Sequence, residues 1–391
     1  MSEPADLSKR PADSERPEPF TTRLAELGAA LLRTLAAAEG ALRRLEPGAL
    51  GAIGAALGPA RATLAAARDA FAATDPPAGL AGLHEQLLAA AGHAGEALAG
   101  LAAAGEPGQG VARALAGMQA HARAQEALYP LRAVFPPLGR FFVEPPWHER
   151  LAELDHRDGE GPSVGLHRAG GGGPGARGGF SLYVPERTDG RLALPLVVAL
   201  HGAFGHGADF LWTWLREARG RGFLLLAPTS RGTTWSLDAP ELDGAPLRDM
   251  VAYVCANWPV DRGRILLTGL SDGATFALLT GLHPAAPFTA LAPVAGVLHP
   301  SNLAAGNLAR ARGRRIYQVH GARDWLFPVA LARLACDALR GAGAELVYRE
   351  IPDLAHGWPR EENDRILTWF DPALALPAPE SPGPGGASSR G

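Results

Sequence analysis

At Gly269 the chain reads G-L-S-D-G, directly after the apolar run Arg264–Thr268 and directly before a helix-forming stretch, Ala274–Leu282. A serine on so short a strand-to-helix turn sits on strained backbone, and both flanking positions must be small for the helix to pack onto the strand. The Ser271 hydroxyl is then pushed clear of the sheet. The amide of Asp272 falls at a helix N-terminus, where it stabilises negative charge. The bland alternative is a glycine-flanked serine helix cap, and the flanking strand and helix favour the nucleophile over it.

The surrounding pattern extends that strand-turn-helix unit into a sheet. Phe180–Pro185, Leu194–Leu200, Phe223–Ala227, Phe288–Pro293, Arg315–His320 and Glu345–Ile351 read as further strands, with another near Val164, and helical stretches lie between most of them. Parallel strands need crossover connections, so this alternation predicts an α/β fold, a mostly parallel, doubly wound sheet with helices on both faces.

A serine hydroxyl is a weak nucleophile near neutral pH. It needs a histidine to take its proton and a carboxylate to orient that histidine. Asp324 follows the strand R-R-I-Y-Q-V-H in the turn G-A-R-D-W, and His356 follows E-L-V-Y-R-E-I in the loop D-L-A-H-G-W. Ser271, Asp324 and His356 therefore all fall at carboxyl ends of sheet strands, where open α/β sheets place their sites. Asp353 competes with Asp324 as the orienting acid but sits only three residues from His356 in an irregular turn. His283, His299 and His320 compete as the base, and a lone histidine near an element end is more often structural.

A second motif, H-G-A-F-G at His201–Gly205, follows the strand Leu194–Leu200. Its glycines let the backbone turn an amide into the site, and Ala203 is the expected donor opposite Asp272, with Phe204 as its neighbour; an ordinary strand-to-helix turn is the alternative. Phe204 and Trp235, on loops at the same sheet edge, are expected to line the substrate pocket, whereas Trp212 and Trp214 suit helix packing. The glycine run Gly170–Gly175 contains G-x-G-x-x-G but lacks a βαβ setting, so it reads as a hairpin loop and not a phosphate cradle. No His, Cys and carboxylate cluster has metal-ligand spacing, so no metal and no cofactor are expected.

The first third of the chain has another character. Of 76 alanines, 40 precede residue 140, while the β-branched and aromatic clusters follow it. Leu24, Leu27, Leu31, Leu35, Ala38, Leu42 and Leu45 recur at spacings of three and four, and similar stripes continue to Leu128, which predicts an antiparallel bundle of about four helices. The expected organisation is a disordered N-terminus (1–19), an all-α bundle (20–130), a proline- and aromatic-rich connector pinned to a surface (131–162), the α/β unit (163–371) and a disordered tail (372–391). A formal net charge of -3 gives no reason to expect a nucleic-acid partner. The polar first twenty residues show no export signal, and the apolar run Leu192–Leu200 is too short to cross a bilayer, so a cytoplasmic protein without a transmembrane segment is expected. Cys255 and Cys336 read as small buried thiols within amphipathic helices.

L-H-G-A-F-G, G-L-S-D-G, the H-G-A-R-D turn and the A-H-G-W loop together make residues 163–371 resemble the α/β-hydrolase superfamily. Within it they are similar to serine esterases of the phospholipase/carboxylesterase, dienelactone-hydrolase and polyhydroxyalkanoate-depolymerase or feruloyl-esterase groups. The resemblance implies a small-molecule ester substrate and an acyl-enzyme route: attack by Ser271, proton relay by His356, orientation by Asp324 and an oxyanion held by the amides of Ala203 and Asp272. Thioesters and peptides are alternative substrates on the same fold, and a catalytically idle scaffold acting through the bundle is the alternative of a different class. Many relatives carry a further glycine after H-G, where this chain has Ala203 and Phe204. The bundle has no counterpart in the resemblance; it is left as a lid, a homo-oligomer surface or a docking module for a protein partner.

Overall fold

The computed structural model describes residues 19–106, 108–155, 164–170, 176–187 and 192–376. Four long helices come first: α1 (Pro19–Leu42), α2 (Leu50–Ala72), α3 (Ala81–Ala102) and α4 (Gly110–Leu128). They pack by alanine and glycine contacts, which let backbones approach closely. A Cβ on Gly100 would lie 2.7 Å from the Arg113 carbonyl, and one on Gly117 3.0 Å from that of Ala97.

With their flanking turns, α2 and α3 are long and apolar enough by length and composition to cross a bilayer, a feature that inspection of Leu192–Leu200 as the strongest apolar run overlooks. Their apolarity comes from alanine rather than large side chains. Of the most apolar window, 44% is buried for α3 and 17% for α2.

The connector runs through two short helices, α5 (Pro136–Phe141) and α6 (Leu151–Leu154), and a buried ionic network holds it. Glu186 accepts from Tyr129 and Tyr183 and pairs with Arg132 at 2.7 Å, while Asp155 pairs with Arg219 at 2.8 Å.

Among the described residues eight strands follow: β1 (Gly165–Ala169), β2 (Phe180–Val184), β3 (Leu194–Leu200), β4 (Leu224–Pro228), β5 (Val260–Leu270), β6 (Ala290–Val294), β7 (Arg315–Gly321) and β8 (Glu345–Ile351). They form one sheet in the order β1-β2-β4-β3-β5-β6-β7-β8. The β1–β2 and β2–β4 pairs are antiparallel and the remainder parallel. β5 begins earlier than its apolar core suggests because Val260 pairs with Leu194 across a register shift. Between the parallel strands run α7 (Gly207–Phe210), α8 (Leu215–Arg221), α9 (Glu241–Asn257), α10 (Asp272–Gly281), α11 (Ser301–Ala304) and α12 (Val329–Gly341), and α13 (Asn363–Phe370) closes the fold.

Alternation along the central strands gives the sheet two apolar faces. Leu196, Val198 and Leu200 of β3 join a core with Val251, Val254 and Phe276 of α9 and α10. Val197 and Ala199 face the other way, into a core that also holds Leu27, Leu31 and Leu35 of α1, Leu128 of α4 and Trp212 and Trp214. The bundle and the sheet thus share one continuous interior.

Residues 1–18, the glycine run from 171 to 175 and the tail from 377 lie outside the described residues. The tail's first residues differ from expectation: Pro372–Leu374 form a turn, Leu374 is buried, and its carbonyl accepts from Arg221 at 2.9 Å.

Candidate active site

Ser271 sits between β5 and α10 with φ 57° and ψ −121°, a left-handed conformation that costs a non-glycine residue about 1–3 kcal/mol and persists only where the surroundings enforce it. Those surroundings are tight. A Cβ on Gly269 would lie 2.7 Å from the Gly273 carbonyl carbon, and one on Gly273 2.4 Å from the His201 carbonyl oxygen. Both glycines are therefore required by close backbone approach, and Ser271 N–H donates to Val294 at 3.0 Å across the sheet.

His356 reaches the serine from the loop after β8. Its Nε2 lies 2.8 Å from Ser271 Oγ and its Nδ1 2.8 Å from Asp324 Oδ2. With Nδ1–H directed at the carboxylate, Nε2 is left as the acceptor facing the hydroxyl. The edge of Phe327 packs on the imidazole, with ring centroids 5.5 Å apart.

The Asp324 side chain is fully buried and surrounded by donors. Its Oδ1 accepts from the amides of Leu326 at 3.0 Å and Phe327 at 2.8 Å. His320 approaches Oδ2 at 3.3 Å while its Nε2–H donates to the Phe327 carbonyl at 2.8 Å. Burial holds the His320 pKa below the usual histidine range.

His320 aside, the competitors bond elsewhere. Both oxygens of Asp353 accept from Arg43. His283 Nδ1 accepts from the Ala285 amide, and His299 pairs with the Ser301 hydroxyl.

The H-G-A-F-G turn runs beside the serine: a Cβ on Gly202 would stand 3.4 Å from Ser271 Cβ. Phe204 has φ 61°, and its amide donates to the Thr233 carbonyl at 2.7 Å, so that N–H is committed. Ala203 precedes it in the turn. Asp272 is the first residue of α10, and its carboxylate accepts from Thr234 Oγ1 at 2.6 Å.

His201 is a strut. Burial lowers its pKa to about 3, its Nε2 accepts from the Ser230 amide at 3.1 Å, and its Nδ1–H donates to the Gly202 carbonyl at 2.7 Å.

Trp235 is corrected by the structure. It is 3% exposed, stacks on Phe276 with centroids 5.0 Å apart, and donates its indole N–H to the His201 carbonyl at 2.8 Å. Its polar edge is drawn inward by that buried carbonyl, so it props the turn from beneath and is not an exposed wall of the sheet edge. Phe204 stays 56% exposed, and Trp325 and Leu326, which follow Asp324, are 45% and 49% exposed. The W-L-F run after Asp324 carried that apolar signal in the sequence.

Arg177 and Asp243 belong to no motif in the sequence. Arg177 donates to Gly205 and Gly232 carbonyls and Ser230 Oγ, joining the loops after β3 and β4. Asp243 accepts from the Arg231 and Ser236 amides and so shapes the second of them. Among the described residues no three His, Cys, Asp or Glu side chains group to hold a metal ion.

Sheet order, crossover helices and the strained serine turn define the α/β-hydrolase fold, here preceded by a helical bundle. Residues 246–371 match the family model described as phospholipase/carboxylesterase. Solved structures similar to the chain include an acetyl xylan esterase from Aspergillus awamori, 17% identical, covering 52% of this chain and 98% of that one with a TM-score of 0.43. Esterase PE8 is 20% identical over 49% of this chain and 96% of its own, with a TM-score of 0.41. Dipeptidyl peptidase 4 of Porphyromonas gingivalis is 15% identical over 49% and 32%, with a TM-score of 0.40. No curated protein matches the chain.

Proposed function

We propose that the protein is a serine esterase that cleaves carboxylic esters through an acyl-enzyme intermediate. The observation that carries this reading is the unbroken hydrogen-bonded line from Ser271 Oγ through His356 to Asp324.

In this mechanism Ser271 Oγ attacks the ester carbonyl while His356 Nε2 takes the hydroxyl proton. Asp324 fixes the ring and stabilises its imidazolium form. The amides of Ala203 and Asp272 face the oxyanion as charge develops on it, the second of them at the positive end of α10. His356 then gives its proton to the leaving alkoxide, and water, activated by the same imidazole, releases the acid. Nucleophile, base and oxyanion donors all come from this chain, so the reaction needs no cofactor. Phe204, Trp325 and Leu326 suit a substrate with an apolar acyl or alcohol portion.

The test is labelling by a fluorophosphonate beside hydrolysis of p-nitrophenyl esters of several acyl lengths. The wild type should label and turn over while Ser271→Ala does neither. A wild type that resists the label and leaves every ester intact would overturn the reading.

A further inference from the structure

The C-terminal end of α1 lies against both loops that meet at Ser271. Arg43, one residue past the helix, forks between two carboxylates that flank His356 in sequence. Its Nη1 and Nη2 donate to Asp353 at 2.8 and 3.2 Å, and its Nε donates to Glu361 at 2.8 Å. Between those anchors the loop touches the helix directly. A Cβ on Gly357, the residue after His356, would stand 3.0 Å from the Leu42 carbonyl oxygen, so this approach suits glycine.

The loop that follows α1 reaches the turn that carries Asp324. The indole N–H of Trp325 donates to the Leu45 carbonyl at 3.2 Å, and Arg323 stands 3.7 Å from Glu46. The helix itself is fixed: Leu27, Leu31 and Leu35 are fully buried in the core shared with the sheet, and Glu39 pairs with Arg216 of α8 at 2.6 Å.

We infer that the end of α1 is a built-in buttress for the two loops bearing Asp324 and His356, with Arg43 as the positioning residue that holds the His356 loop from both sides. The inference deepens the esterase reading and rests on it. It also gives the bundle a task. Partly exposed ion pairs add little to stability, so the value of this fork is geometric: a guanidinium holds two carboxylates at fixed directions. Loop position matters because small displacements of a general base are costly to rate.

The test uses the full chain as wild type, Arg43→Ala, Arg43→Lys and the double variant Asp353→Asn/Glu361→Gln. Three readouts are taken: kcat and KM for p-nitrophenyl butyrate, the rate of fluorophosphonate labelling, and the low-field proton resonance of His356 Nδ1–H in its bond to Asp324. Arg43→Ala should lower kcat and the labelling rate about 10- to 100-fold. KM should stay within about twofold of wild type, because substrate contacts are untouched. The low-field resonance should broaden or vanish. Arg43→Lys should recover only part of the rate, since an ammonium cannot fork to both carboxylates.

The double variant leaves Arg43 in place and should reproduce Arg43→Ala, which keeps the question answerable if the latter folds poorly. Wild-type kcat and an unchanged resonance in both variants would overturn the buttress. If the wild type neither labels nor hydrolyses esters while the variants still lose the resonance, the esterase reading fails and the positioning role stands.

Discussion

His320 and His356 converge on one atom: Oδ2 of Asp324 accepts Nδ1–H of His356 at 2.8 Å and lies 3.3 Å from Nε2 of His320. Burial holds the His320 pKa below the usual histidine range, and among the described residues its Nδ1 has no hydrogen-bond partner. Its Nε2–H, shared with the Phe327 carbonyl, keeps the acid's turn in register. Replacing His320 by Leu leaves that part-buried carbonyl without its donor, at a cost of about 1 kcal/mol. We expect kcat/KM for esters to fall about tenfold, because the turn that carries Asp324 is no longer held in place. Unchanged kinetics in His320→Leu would show that the acid needs only its two amide donors.

Trp235→Phe removes a single donor. The ring still stacks on Phe276, but the His201 carbonyl loses its indole partner beneath the turn that carries Ala203. The expected result is a drop in fluorophosphonate labelling of about tenfold with the fold intact by circular dichroism. A role in substrate binding would instead raise KM and leave the labelling rate alone.

The second glycine of G-L-S-D-G can be tested on stability. A Cβ on Gly273 meets the His201 and Leu200 carbonyl oxygens at 2.4 and 2.6 Å, both backbone atoms with no rotamer to yield. Gly273→Ala should lose about 3 kcal/mol in urea unfolding, near the top of the range for overpacking. A loss below about 1 kcal/mol would mean that α10 can slide away from β3.

What could be read in the sequence followed the range of the interactions. The turn at Ser271 is local: strand, two small residues and helix sit within a few positions, and the sheet strands announce themselves by apolar runs. Chain order puts Asp324 and His356 at strand ends, yet what separates Asp324 from Asp353 is the direct bond of His356 to Asp324, while Asp353 is taken by Arg43, more than 300 residues before it and in a different element. The loop position of Trp235 suggests a pocket wall but says nothing of the buried carbonyl that pulls its N–H inward. The seat of α1 beside the His356 loop could not be foreseen, since an alanine-rich helix offers several similar faces and only the shared core selects one.

Acid sensitivity should trace partly to the junction between bundle and sheet. His121 of α4 is buried there beside Glu39, Arg216 and Arg360, accepts from Gln125 at 3.2 Å, and has its pKa lowered to about 4, chiefly by burial. In the unfolded chain the same imidazole titrates near 6.5. Between those values the unfolded state binds a proton that the folded state refuses, so stability rises with pH across the window and is lost as pH falls from about 6.5 toward 4. The full difference is about 3 kcal/mol for one such group. His201, with its pKa near 3, acts in the same direction. His121→Met should therefore flatten the decline: at pH 5, unfolding of the wild type should take up about one proton more than unfolding of the variant. Urea midpoints measured from pH 7 to 4 read this directly, and parallel slopes for the two proteins would place the acid lability elsewhere.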